Sequence, residues 1–226
     1  MKHSDFVHLH LHTQYSLLDG MIRLDDVFKK ARQFKMPAVA ITDHGNMYGA
    51  VDFHKQAFDH GIKPIIGSEL YVATNKLTDR TTGETSRHLI VLVKNLQGYK
   101  NLMKLTTTAF LKGFYYRPRV DKELLNECHE GLIASSACLQ GEIAGLILQG
   151  NMDEAKNAAR QYLKIFGEGN FYLEIMENGI PEQKIANAGL IEISKDLSIP
   201  LIATNDCHYL EREHAEAHDV LLCIQT

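Results

Sequence analysis

The sequence predicts an α/β chain in which seven short strands alternate with helices, closed as a barrel or opened as a doubly wound sheet, with the barrel favoured. Three observations carry this. Apolar residues recur at helical spacing in several windows, short apolar runs lie between them, and most residues capable of chemistry fall where the runs stop. With 226 residues, 45% hydrophobic and 8% aromatic, the chain can bury a full-sized core as one domain. Linkers, repeats and low-complexity tracts are absent from the sequence.

The first strand is expected at Val7–His12, where polar and apolar residues alternate. Its period of two points His10 and His12 the same way, two imidazoles suited to one transition metal, with Asp19 in the next loop. His8 shares that face but lies deeper, where packing is its expected role. After the Asp19-Gly20 turn, Leu24, Val27, Phe28, Ala31 and Phe34 mark a helix that ends before Met36-Pro37. Ala38 to Thr42 is a continuous apolar run of the kind buried on both faces of a sheet, and it stops at Asp43-His44-Gly45-Asn46.

A second helix is expected from Tyr48 to His60, closed by Gly61, and a third strand from Lys63 to Val72 with an inward Glu69. Asn75 to Ser86 reads as a polar, mobile loop. Arg87 to Val93 forms strand four, opening with His88, and Gln97 to Lys112 a helix. Phe114-Tyr115-Tyr116-Arg117-Pro118-Arg119 mixes aromatic and basic groups able to hold a phosphate or stack a base. Gly131 to Ser135 is strand five, leading to Cys138. Helices follow over Glu142–Gln149 and Asp153–Phe166, then strand six over Phe171–Ile175 and a helix over Pro181–Asp196. Pro200 to Thr204 is strand seven, followed by Asn205-Asp206-Cys207-His208 and a helix from about Arg212.

In a barrel of parallel strands, chemistry gathers at the strand C-termini, where His10, His12, His44, Cys138, Asp206 and His208 all fall. His88 stands at the wrong end of its strand for this. Glu174, at the end of strand six, could approach the others but is left outside the ligand set. The histidines on predicted helices, His54, His60, His129, His214 and His218, are expected at the surface or in helix packing.

The formal charge of -4 argues against a general nucleic-acid binder, although three divalent ions and one thiolate would bring it to roughly +1, concentrated at the ions. The four cysteines form no close pair in sequence, so no disulfide framework is expected, and a reducing cytoplasm is the expected compartment. No stretch resembles a signal peptide or membrane span.

His10-Leu11-His12-Thr13-Gln14-Tyr15-Ser16-Leu17-Leu18-Asp19-Gly20, Thr42-Asp43-His44-Gly45 and Asn205-Asp206-Cys207-His208-Tyr209 resemble the motifs of the PHP (polymerase and histidinol phosphatase) domain. The wording is that of the PHP domains at the N-terminus of bacterial replicative polymerase alpha subunits, and the likeness runs along essentially the whole chain. It implies a distorted (β/α)7 barrel, mostly parallel, with a metal site at its C-terminal mouth. It also implies nine ligands, His10, His12, Asp19, His44, Glu69, His88, Cys138, Asp206 and His208, around up to three divalent ions. That donor set suits zinc, manganese or iron. By the same resemblance residues 1–226 are a PHP domain cut from a longer polymerase chain, as the apolar end Leu221 to Ile224 also suggests.

The implied activity is phosphoester hydrolysis, with 3′ to 5′ exonuclease proofreading of a DNA primer as the natural form. Asp19, His12 and Asp206 are the catalytic candidates, joined by Asp43 as an orienting or proton-transferring group. Arg117, Arg119, Tyr115 and Tyr116 are candidates for substrate contact. The alternatives are a small-molecule phosphatase like histidinol phosphatase, or a metal-stabilised scaffold docking the polymerase module and a separate exonuclease subunit. No membrane partner is expected.

Overall fold

The computed structural model describes residues 2–81 and 86–224. The mobile loop expected over Asn75 to Ser86 therefore lies partly outside the described residues. The strands are β1 (Ala38–Ile41), β2 (Lys63–Ala73), β3 (Ser86–Val93), β4 (Phe114–Tyr115), β5 (Arg117–Val120), β6 (Leu132–Ser135), β7 (Phe171–Met176) and β8 (Leu201–Thr204). They form one sheet in the order β4-β5-β2-β3-β6-β7-β8, with β1 also beside β2.

Residues 8–13 join the two ends of this sheet. On one side the N–H groups of Ala40 and Thr42 donate to the carbonyls of His8 and Leu11. On the other, Cys207 N–H donates to His10 O and His12 N–H to Cys207 O. The sheet thus curls into a distorted barrel of seven staves, the first of them held by isolated bonds. That stave departs from the expected regular strand. Its bonded carbonyls at 8 and 11 are three residues apart, while their donors on β1 at 40 and 42 are two apart. One residue is extra, as in a β-bulge. The slip turns Leu9 into the barrel beside Ile65 and Ile133, and puts His8 outside against Cys207, off the face of His10.

The strands are mostly parallel, but β3 runs antiparallel to both β2 and β6. The reason is in the connection. A parallel crossover needs roughly a dozen or more residues, usually built as a helix, and the twelve residues between β2 and β3 are mostly polar and show no helical spacing. The hairpin of β4 and β5 and the helix after it were not expected either. Two strands of two and four residues are too short to show a period.

The helices are α1 (Leu24–Gln33), α2 (Ala50–His60), α3 (Leu96–Leu111), α4 (Lys122–Cys128), α5 (Glu142–Leu148), α6 (Met152–Phe166), α7 (Pro181–Leu197) and α8 (Ala215–Leu222). α1 buries Leu24, Val27, Phe28 and Ala31 and places Asp25 and Asp26 in its first turn, complementing the helix dipole. Asn95 and Asp121 cap α3 and α4 by accepting from Gly98 N–H and Leu124 N–H. Gly61, at φ 66, ends α2 in the left-handed conformation.

One apolar cluster packs α3 to α7 against β2, β3, β6 and β7, and a second packs α1 and α2 against β1. Fully buried rings such as Phe28 and Phe53 each contribute about 1.5–3 kcal/mol. A smaller cluster, Ala40, Ile90, Leu92 and Ala137, fills the barrel between these layers and the mouth. Among the described residues no helix is long and apolar enough to cross a membrane.

Candidate metal centre

All nine residues expected as ligands converge at one end of the barrel, although they come from seven separate segments. Glu69, on β2 and 1% exposed, is the hub. Its Oε1 lies 2.9 Å from His88 Nδ1 and 3.6 Å from His10 Nε2, and its Oε2 lies 2.8 Å from His44 Nδ1 and 3.3 Å from His12 Nε2. Cys138 Sγ stands 4.0 Å from Glu69 Oε1 and 3.8 Å from His88 Nδ1. Asp206 Oδ1 is 3.1 Å from His10 Nε2, 3.4 Å from His12 Nε2 and 3.4 Å from His208 Nδ1. Asp19 Oδ2 is 3.1 Å from His44 Nε2.

The antiparallel course of β3 resolves the placement of His88. The N-terminal end of an antiparallel strand lies at the C-terminal end of its parallel neighbours, so a residue that opens β3 reaches the mouth. Two turns in the left-handed region aim other members. Ala137, at φ 59, precedes Cys138, and Asp206 is itself at φ 53. Gly20 closes the loop bearing Asp19 so tightly that a Cβ there would lie 1.9 Å from Thr13 O.

The donors point into shared space. Buried Asp206 Oδ1 and His44 Nδ1 have close neighbours but no hydrogen bond of acceptable alignment. His12, His44 and His208, then His10, His12 and Glu69, then His44, Glu69 and His88 each bring donor atoms within 4.8 Å of one another. Nitrogens bound at about 2.0–2.1 Å to one zinc ion stand about 3–3.5 Å apart, and His10 Nε2 and His12 Nε2 are separated by 3.1 Å. The cluster therefore has the composition and spacing of a site for divalent cations.

Burial alone would lower His44, but the Asp19 and Glu69 carboxylates beside its ring raise it to about 10. Burial likewise opposes the charge on His10, and Asp206, Glu174 and Glu69 overcome it to hold the imidazolium well above its usual range. Burial would raise Glu69 and Asp206, yet His88 and His10 for the first, and His10 for the second, keep both carboxylates well below theirs. Burial and His12 lower His208 to about 4, so at neutral pH it can take a cation without releasing a proton. Burial, Glu69 and Asp206 raise the Cys138 thiol well above its usual value.

Asp43 is 1% exposed and lies behind the cluster. It accepts from Thr13 N–H, Thr13 Oγ1 and Ser16 Oγ at 2.7, 2.8 and 2.7 Å, and Ser16 Oγ stands 2.9 Å from His12 Nδ1. Its place is that of an orienting group acting through Ser16, away from the reacting face. Glu174 likewise lies behind His10, its Oε1 2.7 Å from Nδ1.

Of the candidates for substrate contact, Arg117 is exposed, bonds Tyr71 Oη at 3.2 Å and lies 5.4 Å over the Tyr71 ring, which stacks on His44. Arg119 is not at the mouth. It is 2% exposed, and its guanidinium donates to the carbonyls of Gly113, Leu77 and Asp79, tying the hairpin to the loop after β2. Its charge is thus satisfied internally, above the half-buried Tyr115 ring at 5.1 Å. Tyr116 projects into solvent from the hairpin turn, 82% exposed.

Two residues near the site were missed from sequence. Tyr71 follows Glu69 by two positions on β2, so the period of two could have found it. His218, expected at the surface or in helix packing, donates from Nε2 to Asp19 O at 2.8 Å. No local pattern signals that contact across 199 positions.

A profile of the PHP domain matches residues 8–178. DNA polymerase III subunit alpha of Borreliella burgdorferi is 49% identical over 226 residues, covering 99% of this chain and 20% of its own length. That of Thermus aquaticus is 47% identical over 227 residues, covering 98% and 18%. The chain thus spans about a fifth of the length of the curated relatives it matches. Among solved structures, a protein of Bifidobacterium adolescentis assigned as a metal-dependent phosphoesterase superposes with a TM-score of 0.50 at 12% identity, covering 92% of this chain and 90% of its own. An amidohydrolase of Chromobacterium violaceum, with bound sulfate and no metal, gives 0.56 at 13% identity, covering 95% and 96%. At such identities the shared property is the fold.

Proposed function

The chain belongs to the PHP domain family, and from that premise we propose that it is the metal-dependent phosphoesterase domain of a replicative polymerase, trimming the 3′ end of a DNA primer. The observation that carries the reading is the convergence of nine donor residues at one end of the barrel, with Glu69 within 3.6 Å of His10, His12, His44 and His88. His10, His12, Asp19, His44, Glu69, His88, Cys138, Asp206 and His208 would hold up to three divalent ions, with zinc, manganese and iron all suited to this donor set. When bound, such ions polarise a phosphoryl group and lower the pKa of an attacking water.

The chain's own groups divide the remaining work. Asp19 and Asp206, with side chains 16% and 20% exposed, are the carboxylates at the opening that a substrate can reach. Arg117, over the Tyr71 ring and bonded to its hydroxyl, presents its remaining guanidinium donors to a phosphate oxygen at the rim. Buried Glu69 and the imidazoles around it exclude water from the floor of the site.

A second reading, a scaffold that docks the polymerase module and a separate exonuclease subunit, is favoured by one feature. Tyr48, Phe110 and Phe114 form an exposed chain of rings, with successive centroids 6.3 Å apart. Comparing the wild type with Asp19→Asn and His208→Ala on a mismatched primer and on a generic phosphate ester separates these readings. Primer shortening lost in both variants supports proofreading. Ester cleavage alone points to a small-molecule phosphatase, and metal-loaded but inert wild type to the scaffold. Either polymerase reading places the protein in the cytoplasm.

A further inference from the structure

His10 and His12 face each other through Nε2 at 3.1 Å, and their protons can be assigned by following each hydrogen bond to its end. Ser16 has one hydroxyl proton. It goes to Asp43 Oδ1, so Ser16 Oγ accepts from its remaining neighbours, the N–H of His44 and the Nδ1 of His12. His12 therefore carries its proton on Nδ1 and turns the other nitrogen to the site.

His10 is handled differently. Its Nδ1 meets Glu174 Oε1 directly at 2.7 Å, and both groups are wholly buried. Two further bonds reach the carboxylate, and a third anchors its backbone. Ser135 Oγ donates to Oε2, Thr204 Oγ1 donates to Oε1, and the Glu174 backbone N–H is anchored on Ser136 Oγ at 2.9 Å. Ser135 ends β6 and Thr204 ends β8, on either side of the β7 that carries Glu174, so three adjacent staves meet at one carboxylate. Nothing in the sequence pattern of an isolated strand six required an acid there. Burying a carboxylate is costly unless its acceptors are filled, and here the imidazole completes the set.

We propose that Glu174 is a positioning residue for the metal centre, holding the His10 proton on Nδ1 so that Nε2 faces the cations beside the matched Nε2 of His12. Once His10 has released its second proton, both Nε2 atoms would turn only lone pairs toward each other across 3.1 Å, which a cation would satisfy and a hydrogen bond would not. This rests on the reading of the cluster as a metal site. It extends that reading to a residue outside the nine donors.

The test compares wild type, Glu174→Gln and Glu174→Leu by Zn²⁺ titration calorimetry and by NMR of histidine labelled with nitrogen-15, with circular dichroism as the check on folding. In wild type a downfield, exchange-protected Nδ1–H resonance from His10 is expected in both Zn²⁺-loaded and chelated protein. Glu174→Gln keeps an acceptor oxygen and is expected to retain the resonance and bind Zn²⁺ within about tenfold of wild type. Glu174→Leu is expected to lose the resonance and weaken Zn²⁺ by roughly 10–100-fold. Should Glu174→Leu not fold, Thr204→Val removes one aiming hydroxyl and is expected to weaken Zn²⁺ several-fold. The proposal is overturned if the folded Leu variant, or in its place Thr204→Val, binds Zn²⁺ like wild type, or if the Gln variant loses as much as the Leu variant. A wild type that takes up no Zn²⁺ would instead defeat the metal reading, leaving the resonance in wild type and Glu174→Gln to decide the role of Glu174.

Discussion

His88 Nδ1 lies 2.9 Å from Glu69 Oε1, although His88 sits near the start of β3 and Glu69 lies past the middle of β2. The contact exists because the two strands run antiparallel, and among the described residues it makes Glu69 the one carboxylate that faces both His88 and the His10–His12 pair. Glu69→Gln should therefore cost more than the loss of one ligand among nine. We expect it to abolish uptake of at least one equivalent of Mn²⁺ or Zn²⁺ and to remove most of the thermal stabilisation those ions give, with little change in circular dichroism. Unchanged metal content in the purified variant would show that Glu69 is not the hub.

The same charges set a pH dependence. Without metal, the His44 imidazolium contributes stability that is fully present below its ordinary 6.5 and is lost as pH rises toward about 10. Glu69 and Asp206 are depressed, so their contribution is present above their ordinary 4.5 and 3.8 and lost as pH falls further. These groups therefore favour the chelated protein most between about pH 4.5 and 6.5. Metal binding demands the opposite of His44 and His10, which must give up protons. The rise in Tm on adding Mn²⁺ should thus grow steadily from pH 6 to pH 9. Melting curves with and without chelator test this, and a rise that is flat or falls with pH would contradict it.

The parts of the site readable in the sequence were those carried by residue type at the end of an apolar run: His44 after β1, Cys138 after β6, and Asp206 and His208 after β8. Direction was harder. His88 stands at the wrong end of a parallel strand, and the lack of helical spacing between Ala73 and Ser86 is the sign in the sequence that β3 runs the other way. His8 and Arg119 failed for a related reason. Alternation assigns faces only while a strand stays regular, and the bulge near His8 and the hairpin around Tyr116, at φ 56, each break it. Glu174 and His218 needed partners 164 and 199 positions away, which no local pattern encodes.

The two arginines of the hairpin should separate cleanly. Arg119→Met strands several buried carbonyls and removes the cation from the Tyr115 ring, and we expect a loss of about 2–3 kcal/mol in chemical denaturation. Arg117→Ala should leave stability within about 0.5 kcal/mol of wild type, as is usual for an exposed side chain. Its effect should appear as roughly a tenfold rise in KM for a phosphodiester with kcat nearly unchanged, the signature of uniform binding. A large stability loss from Arg117→Ala, or a kinetic effect confined to Arg119→Met, would reverse the assignment.

Ser16→Ala offers a direct measure of how much the support behind His12 matters. The hydroxyl is the acceptor for His12 Nδ1–H and for the His44 N–H, and it donates to Asp43, so its removal leaves two buried donors unmatched. At about 1–3 kcal/mol for each such loss, partly relieved by rearrangement, a net cost of about 2–3 kcal/mol is expected. For a chain of this length that is roughly a 5–10 °C fall in Tm. Metal affinity should fall as well, by roughly 10–100-fold, because His12 becomes free to turn or to change its protonated nitrogen. Thr13→Val is the matched control. It also removes a hydroxyl from Asp43, and it should lower stability, but that hydroxyl bonds Asp43 and the Tyr15 N–H and not the His12 ring, so Mn²⁺ affinity should stay within a few-fold of wild type. If both variants weaken Mn²⁺ equally, the effect is general loosening of the loop, and the hydrogen bond from His12 to Ser16 has no special part in holding the ion.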